Sequence, residues 1–183
     1  MLVLLFGASG VGKSSVATLL VEQDSWVPVI SWITRPERPD ERFKVNISDR
    51  SYEELARCGK LWSDVEQNGH RYGLLTSEVR AAIDDPRRFY VLDYGLTSWR
   101  KYFANEKCLA VYVAAGSDAT LTARLARSGR MDRLQGALES QAELEAWCQE
   151  NRAVVKIVNE DHALEQAAAE IATAARFWAG RAA

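Results

Sequence analysis

A run near the start of the chain has the residue types and spacing of a phosphate-binding loop. It reads Gly7-Ala8-Ser9-Gly10-Val11-Gly12-Lys13-Ser14 and directly follows the apolar stretch 1–6. Its glycines let backbone N–H groups curl around a phosphate, Lys13 can reach the terminal phosphates, and the Ser14 hydroxyl can ligate Mg²⁺. The positive end of the following helix, which includes Ser15, adds to this cradle. The run therefore predicts binding of a nucleoside triphosphate rather than a simple connecting turn, although nothing in the sequence distinguishes ATP from GTP.

Two groups of arginines could supply the remaining charge for phosphoryl transfer. This reaction needs cations over the oxygens of the moving group and little covalent help from the protein. Arg35 and Arg38 form the first group, and the neighbouring Pro36 and Pro39 stiffen the backbone that carries them. The second group lies in a later basic segment and consists of Arg124, Arg127, Arg130 and Arg133. Solvent-facing charge is the alternative for both groups.

Five apolar runs with the length of buried strands alternate with segments of helical periodicity. The runs are 2–6, 27–32, 89–92, 109–113 and 154–158, and the helical segments are about 12–25, 75–84, 117–127, 137–150 and 161–179. This alternation predicts an α/β fold, a parallel sheet flanked by helices. Ligands bind such sheets at the carboxyl ends of the strands, where the phosphate loop, the stretch 31–38 and Asp93 all fall.

Two segments interrupt this alternation within what we expect to be a single domain. Residues 36–74 contain prolines, many charges and one short helix near 52–58, which indicates an inserted subdomain. Residues 127–134 form a short basic loop between two helices. The core would then consist of residues 1–35 and 75–183.

Composition narrows the choice of partners and compartment. The net charge of −2 gives no basic excess for a nucleic-acid or membrane partner. No apolar run approaches the roughly 18 residues of a membrane span, and no leader pattern is present, so we expect a cytoplasmic protein. The three cysteines and two histidines lack metal-ligand spacing and predict free thiols and no zinc site. The Ala-rich final helix indicates packing or a homodimer contact.

Seven segments, in their order and approximate spacing, resemble guanylate kinases. They are the phosphate loop and residues 34–39, 52–55, 69–73, 91–93, 124–130 and 157–161. The resemblance extends over nearly the whole chain and implies a P-loop NTPase core with an acceptor-binding subdomain at 36–74 and a short lid at 127–134. It also implies ATP and Mg²⁺ as donor and metal, and a small phosphorylated molecule as the acceptor.

The resemblance assigns roles to individual residues. The acceptor phosphate would be bound by Arg35, Arg38 and Tyr72, with Ser31 near the acceptor base. The ATP phosphates and the transferring group would be bound by Lys13, Arg124 and Arg133, with Arg127 and Arg130 supporting them from the lid. Asp93 would orient water on Mg²⁺, which Ser14 ligates, or the arginines on the acceptor side.

Three positions depart from the family where guanylate kinases read guanine. The family has a glutamate nine residues before Tyr72, a serine or threonine two after it, and an aspartate two after Asp93. This chain has Ser63, Leu74 and Gly95 there. Without the two acids, guanine N–H groups stay unpaired at a cost of about 1 to 3 kcal/mol each. We therefore predict a phosphate monoester other than GMP as the acceptor: a modified or pyrimidine nucleotide, or a sugar phosphate, as in the ribose bisphosphate phosphokinases that share this resemblance.

Three other interpretations stay open on the sequence alone. A slipped register could let Asp64 or Glu66 replace the missing glutamate, which would give a true guanylate kinase. The domain could instead bind a phosphopeptide or protein without catalysis, although such modules typically have a degraded phosphate loop. It could also be a regulatory subunit that hydrolyses its nucleotide slowly. The tyrosine that joins the phosphate-binding arginines in the family has no clear counterpart, and Phe43 or Lys44 falls near its place.

Overall fold

The computed structural model of the protein describes residues 1–38, 41–67, 69–151 and 154–182. In chain order the elements are β1 (Leu2–Phe6), α1 (Lys13–Asp24), β2 (Val27–Pro28), β3 (Ser31–Ile33), β4 (Lys44–Asn46), α2 (Asp49–Arg57), β5 (Leu61–Gln67), β6 (His70–Leu75), α3 (Thr76–Asp84), β7 (Tyr90–Asp93), α4 (Leu96–Tyr102), β8 (Cys108–Ala115), α5 (Asp118–Arg127), a 3₁₀ turn (Met131–Arg133), α6 (Leu134–Glu150), β9 (Val155–Asn159) and α7 (Leu164–Ala182). Pro39, which we expected to stiffen the arginine segment, lies outside the described residues.

The main sheet is parallel and has the strand order β2-β7-β1-β8-β9. Its central strand β1 is fully buried, with Val3 and Leu5 in one hydrophobic cluster and Leu2, Leu4 and Phe6 in the other. Successive side chains of a strand point to opposite faces, so a strand covered on both sides must be apolar throughout. The α/β fold with helices on both faces of a parallel sheet is confirmed.

A second sheet has the strand order β4-β3-β6-β5 and mixes parallel and antiparallel pairs. Strand β3, the first of this sheet in chain order, begins at Ser31 and therefore precedes the predicted insertion at 36–74. That insertion contains β4, α2, β5 and nearly all of β6. The prediction of one strand at 27–32 was wrong. Val27–Pro28 pairs with β7, whereas Ser31–Ile33 pairs with β4 and β6. An apolar run reports burial but not the pairing partner, so it could not show where the chain changes sheets.

Two elements near the expected loops also differ from the predictions. Helix α4 follows β7 directly and was not predicted, because seven residues are too few to show a clear periodicity. The expected lid loop at 127–134 is mostly structured: α5 ends at Arg127, a 3₁₀ turn covers Met131–Arg133, and α6 begins at Leu134. Within the described ranges, no helix combines the length and the apolar composition needed to cross a membrane.

Candidate active site

The phosphate loop connects β1 to α1 and is hydrogen-bonded to the end of β9. Gly10 and Gly12 have φ angles of 89° and 96°, in the left-handed region that favours glycine. The Asn159 side chain, buried at the end of β9, donates its Nδ2 hydrogen to the Val11 carbonyl at 2.8 Å. A Cβ atom on Gly12 would come within 2.4 Å of that nitrogen, so this close approach itself requires glycine.

Lys13 lies inside the loop it belongs to. Its ammonium group donates to the carbonyls of Gly7 and Ala8, each at 3.0 Å. Burial lowers its pKa, the charge of Asp93 opposes that effect, and the charges of Lys44 and Arg130 lower the pKa further. Cations from the acceptor side and from the lid therefore act on the same ammonium group.

Ser14 and Asp93 form a hydroxyl and carboxylate pair suited to Mg²⁺. The parallel register places Leu5 beside Asp93, and the Ser14 hydroxyl donates to Asp93 Oδ2 at 2.7 Å. No group of three or more histidine, cysteine or acidic side chains in the described part of the chain could hold a metal by itself. Mg²⁺ commonly keeps several waters and is bound by one or two protein oxygens together with substrate phosphates, which this pair fits.

Five residues meet at the end of the cleft that the sequence predicts to bind the acceptor, which is called the acceptor end below. They are here called the basic cluster: Arg35, Arg38, Lys44, Tyr72 and Glu41. Arg35 donates through both terminal nitrogens to the Glu41 carboxylate, at 2.7 and 2.6 Å, and through Nε to the Tyr72 hydroxyl at 3.0 Å. Lys44 donates to Glu41 at 2.7 Å, and an Arg38 nitrogen lies 3.7 Å from it. Three cations thus surround one carboxylate, and the phenol contacts one of these cations, which leaves a net positive site.

The second arginine group is here called the lid arginines: Arg124, Arg127, Arg130 and Arg133. Two of them, Arg124 and Arg127, lie beside the end of β9. Arg124 donates to the Val11 carbonyl at 3.2 Å, to the Asn159 carbonyl at 2.8 Å and to Asp161 at 3.0 Å. Arg127 also reaches Asp161, at 3.5 Å. The hydrogen bond from Arg124 lowers the pKa of Asp161 and keeps this carboxylate charged. Arg124 therefore ties the loop to β9.

Two positions that depart from the guanine-reading pattern are buried behind the acceptor end. The hydroxyls of Ser63 and Tyr94 are hydrogen-bonded at 2.6 Å, and Ser63 is 1% exposed. Burial raises the pKa of Tyr94 to about 12, so its hydroxyl stays protonated. Leu74 is fully buried in a hydrophobic cluster that Trp62 also contacts. These contacts make Ser63 and Leu74 part of the packing.

The residues of strand β5 alternate between those that line the cleft and those that do not. Val65 and Gln67 line the cleft, and side chains alternate between the two faces of a strand. Asp64 is paired with Arg71 and with the Tyr52 hydroxyl, at 3.0 Å from the latter. Glu66 lies two residues after Asp64, on the same face of the strand, and is exposed. The pleat thus directs both acids away from the cleft.

A cleft of about 1110 Å³ brings the predicted site together. Its wall includes all six predicted arginines, the loop residues other than Ala8 and Val11, and a further set: Ser31, Tyr72, Asp93 and Gly95. The side chains of Ala8 and Val11 are buried in the core instead. Ser63 and Leu74 do not line the cleft, in contrast to the prediction, because both are occupied in the packing behind it.

Sequence reasoning missed several residues of this wall. Glu41 was not predicted, although an acid three residues after Arg38 was an available signal. Lys44 and not Phe43 lines the cleft, since Phe43 packs against the core. Asn159 and Asp161 lie in a segment that resembled the family, but their contacts, with Val11 and Arg124 respectively, join residues more than 30 positions apart.

Comparisons with known proteins agree with this arrangement. The structure is similar to that of a guanylate kinase from Anaplasma phagocytophilum, with a TM-score of 0.70, 21% identity, and coverage of 96% of this chain and 84% of that one. It is also similar to a gluconokinase from Sinorhizobium meliloti 1021, with a TM-score of 0.50, 18% identity, and coverage of 99% and 97%. At these identities the likenesses show the fold alone. A search of curated protein sequences found no significant match.

The family itself follows from the sequence comparison. The guanylate kinase family model matches residues 1–176, a span that includes the phosphate loop, the basic cluster and the lid arginines. The resemblance predicted from short motifs is thereby confirmed over almost the whole length of the protein. Because this model matches nearly the whole chain, the chain belongs to the guanylate kinase family.

Proposed function

We propose that this protein is an ATP- and Mg²⁺-dependent kinase that transfers the γ-phosphoryl group to a phosphate monoester other than GMP. The observation that carries the proposal is that an intact phosphate loop and the basic cluster line the same cleft. Phosphoryl transfer requires that donor and acceptor be aligned between cations, and this cleft has cations at both ends.

On the donor side, the chain supplies a cradle, a cation and two oxygen ligands. The loop N–H groups and Lys13 would bind the phosphates, and Lys13 is already among the loop carbonyls. Ser14 and Asp93 would hold Mg²⁺, which neutralises charge on the β- and γ-phosphate oxygens when bound. The lid arginines would cover the remaining charge and keep water out of the site.

On the acceptor side, Arg35 and Arg38 would bind the phosphate whose oxygen attacks. Arg35 is 7% exposed and is oriented by Glu41 and Tyr72, so its guanidinium is set before any acceptor arrives. Such preorganisation lowers the entropy cost of aligning the attacking oxygen. Arg38 is the more exposed of the two and approaches Glu41 less closely.

The choice against GMP rests on the surroundings of Ser63. The Ser63 hydroxyl is hydrogen-bonded to the Tyr94 hydroxyl. The Asp64 carboxylate forms an ion pair with Arg71 and accepts a hydrogen bond from the Tyr52 hydroxyl. The side chains that β5 presents to the cleft are Val65 and Gln67, which carry no charge. Guanine N–H groups would find no carboxylate on this strand, which argues against the alternative of a shifted acid.

An ADP-release assay tests the proposal with a panel of acceptors: GMP, dGMP, AMP, CMP, UMP, dTMP and ribose phosphates. We expect turnover with a member that carries no guanine, loss of turnover in Lys13→Ala, and a raised KM for the acceptor alone in Arg38→Ala. Turnover with GMP or dGMP alone would refute the specificity argument. Tight phosphopeptide binding without acceptor-dependent turnover would favour an interaction module instead, and ADP release that needs no acceptor would favour a slow regulatory hydrolase.

A further inference from the structure

Lys44 lies in the cleft, near the place where the sequence left the family's phosphate-binding tyrosine without a clear counterpart. It begins β4, where the parallel register sets it beside Ser31, and its side chain is 26% exposed. Its ammonium lies 2.7 Å from Glu41 Oε1, the oxygen that also accepts from Arg35. Lys44 is therefore held against the acceptor end by a carboxylate that Arg35 shares.

Lys44 also faces the donor end of the cleft. Its charge is among those that lower the pKa of Lys13. A small cavity of about 20 Å³ is lined by Lys44 and Glu41 together with Ser14 and Asp93. Lys44 thus lies close both to the residues that would bind the acceptor phosphate and to those that would bind Mg²⁺ and the donor.

We propose that Lys44 is a third cationic ligand of the acceptor phosphate and that Glu41 holds it ready until the acceptor binds. The inference rests on the proposed function and specifies its acceptor site. With Glu41 counted, the three cations of the basic cluster leave a net charge of about +2, which matches a dianionic phosphate monoester. An ammonium is a compact point charge with three donors, so it can bind a phosphate oxygen that the planar guanidinium groups do not reach.

A purely structural role makes a different prediction. If Lys44 served only to neutralise Glu41, its removal would lower the stability of the protein but leave its affinity for a phosphate unchanged. Arg35 would still hold Glu41 through two hydrogen bonds. Anion affinity therefore separates the two roles, and stability does not.

Isothermal titration of the full chain with inorganic phosphate tests this inference without turnover. The phosphate loop is first saturated with a non-hydrolysable ATP analogue and Mg²⁺, so that phosphate reports on the acceptor end. A charge-assisted hydrogen bond is lost in Lys44→Gln, and we expect phosphate to bind about tenfold more weakly or worse. Lys44→Arg keeps the charge and should stay within about threefold of the unaltered protein. Lys60→Gln, at an exposed position away from the cleft, should bind phosphate unchanged.

The outcomes separate this inference from the proposed function. Equal phosphate affinity in Lys44→Gln and the unaltered protein would overturn the role of Lys44, as would undetectable phosphate binding by the unaltered protein at tens of millimolar. A loss confined to Lys44→Gln, with thermal unfolding showing that this variant is folded, would support it. If that loss occurs but no acceptor yields ADP, the phosphate site stands and the proposed kinase activity fails.

Discussion

Replacing Glu41 with glutamine removes the one negative charge inside the basic cluster. The Glu41 side chain is 7% exposed. Burial alone would raise its pKa, but hydrogen bonds from Arg35 and Lys44 outweigh that effect and lower the pKa to about 2, from an ordinary value of 4.5. The charged form of this carboxyl therefore stabilises the folded protein.

The size and direction of the effect follow from these two pKa values. Between them, the unfolded chain binds a proton that the folded protein does not, so stability falls as the pH falls from about 5 to 2. The carboxylate contributes about 3 kcal/mol at pH 7 and about half of that near pH 3. The charged side chains that face it are those of Arg35, Arg38 and Lys44.

Urea unfolding of the unaltered protein and Glu41→Gln, followed by tryptophan fluorescence from pH 7 to pH 3, measures this contribution. The glutamine cannot titrate, so we expect the variant to be less stable by about 3 kcal/mol at pH 7 and the difference to shrink on acidification. Glu54→Gln, the same change at an exposed position of α2, should alter stability by less than about 0.5 kcal/mol at pH 7. A difference between the unaltered protein and Glu41→Gln that is constant with pH would refute the reasoning.

Two further predictions concern close contacts near the cleft. Gly73→Ala would bring a Cβ atom to 2.6 Å from the Tyr52 hydroxyl, so we expect urea unfolding to show a free energy of unfolding lower by about 1 to 3 kcal/mol. The control is Gly136→Ala in α6, where the added methyl meets nothing within 4 Å, and we expect it to raise the free energy of unfolding by about 0.5 to 1 kcal/mol. Asn159→Ala removes the hydrogen bond to the Val11 carbonyl, and calorimetric titration with an ATP analogue should show weaker binding, whereas unchanged affinity would exclude a role in holding the loop.

The phosphate loop and its flanking elements could be read from the sequence because they are continuous in it. The predicted strand 2–6 coincides with β1, and the predicted helix 12–25 corresponds to Lys13–Asp24. Both signals are local: a strand covered on both faces is apolar throughout, and the loop needs glycines at fixed offsets before a lysine. The parallel sheet followed from similar local signals, whereas the family followed from the resemblance of seven segments along the chain.

The acceptor end depended on residues that only folding brings together. Glu41 contacts three cations, and the Tyr94 hydroxyl is hydrogen-bonded to that of Ser63. The alternation of side chains along β5 places Asp64 on the face away from the cleft, where it pairs with Arg71. A sequence pattern records which residues become buried, but it does not record the partner of each buried group or the face on which a strand residue lies. These contacts are set by strand pairing between distant segments. The sequence by itself therefore determined the phosphate-loop motif and the family, whereas the tertiary structure decided which side chains line the cleft beside the basic cluster.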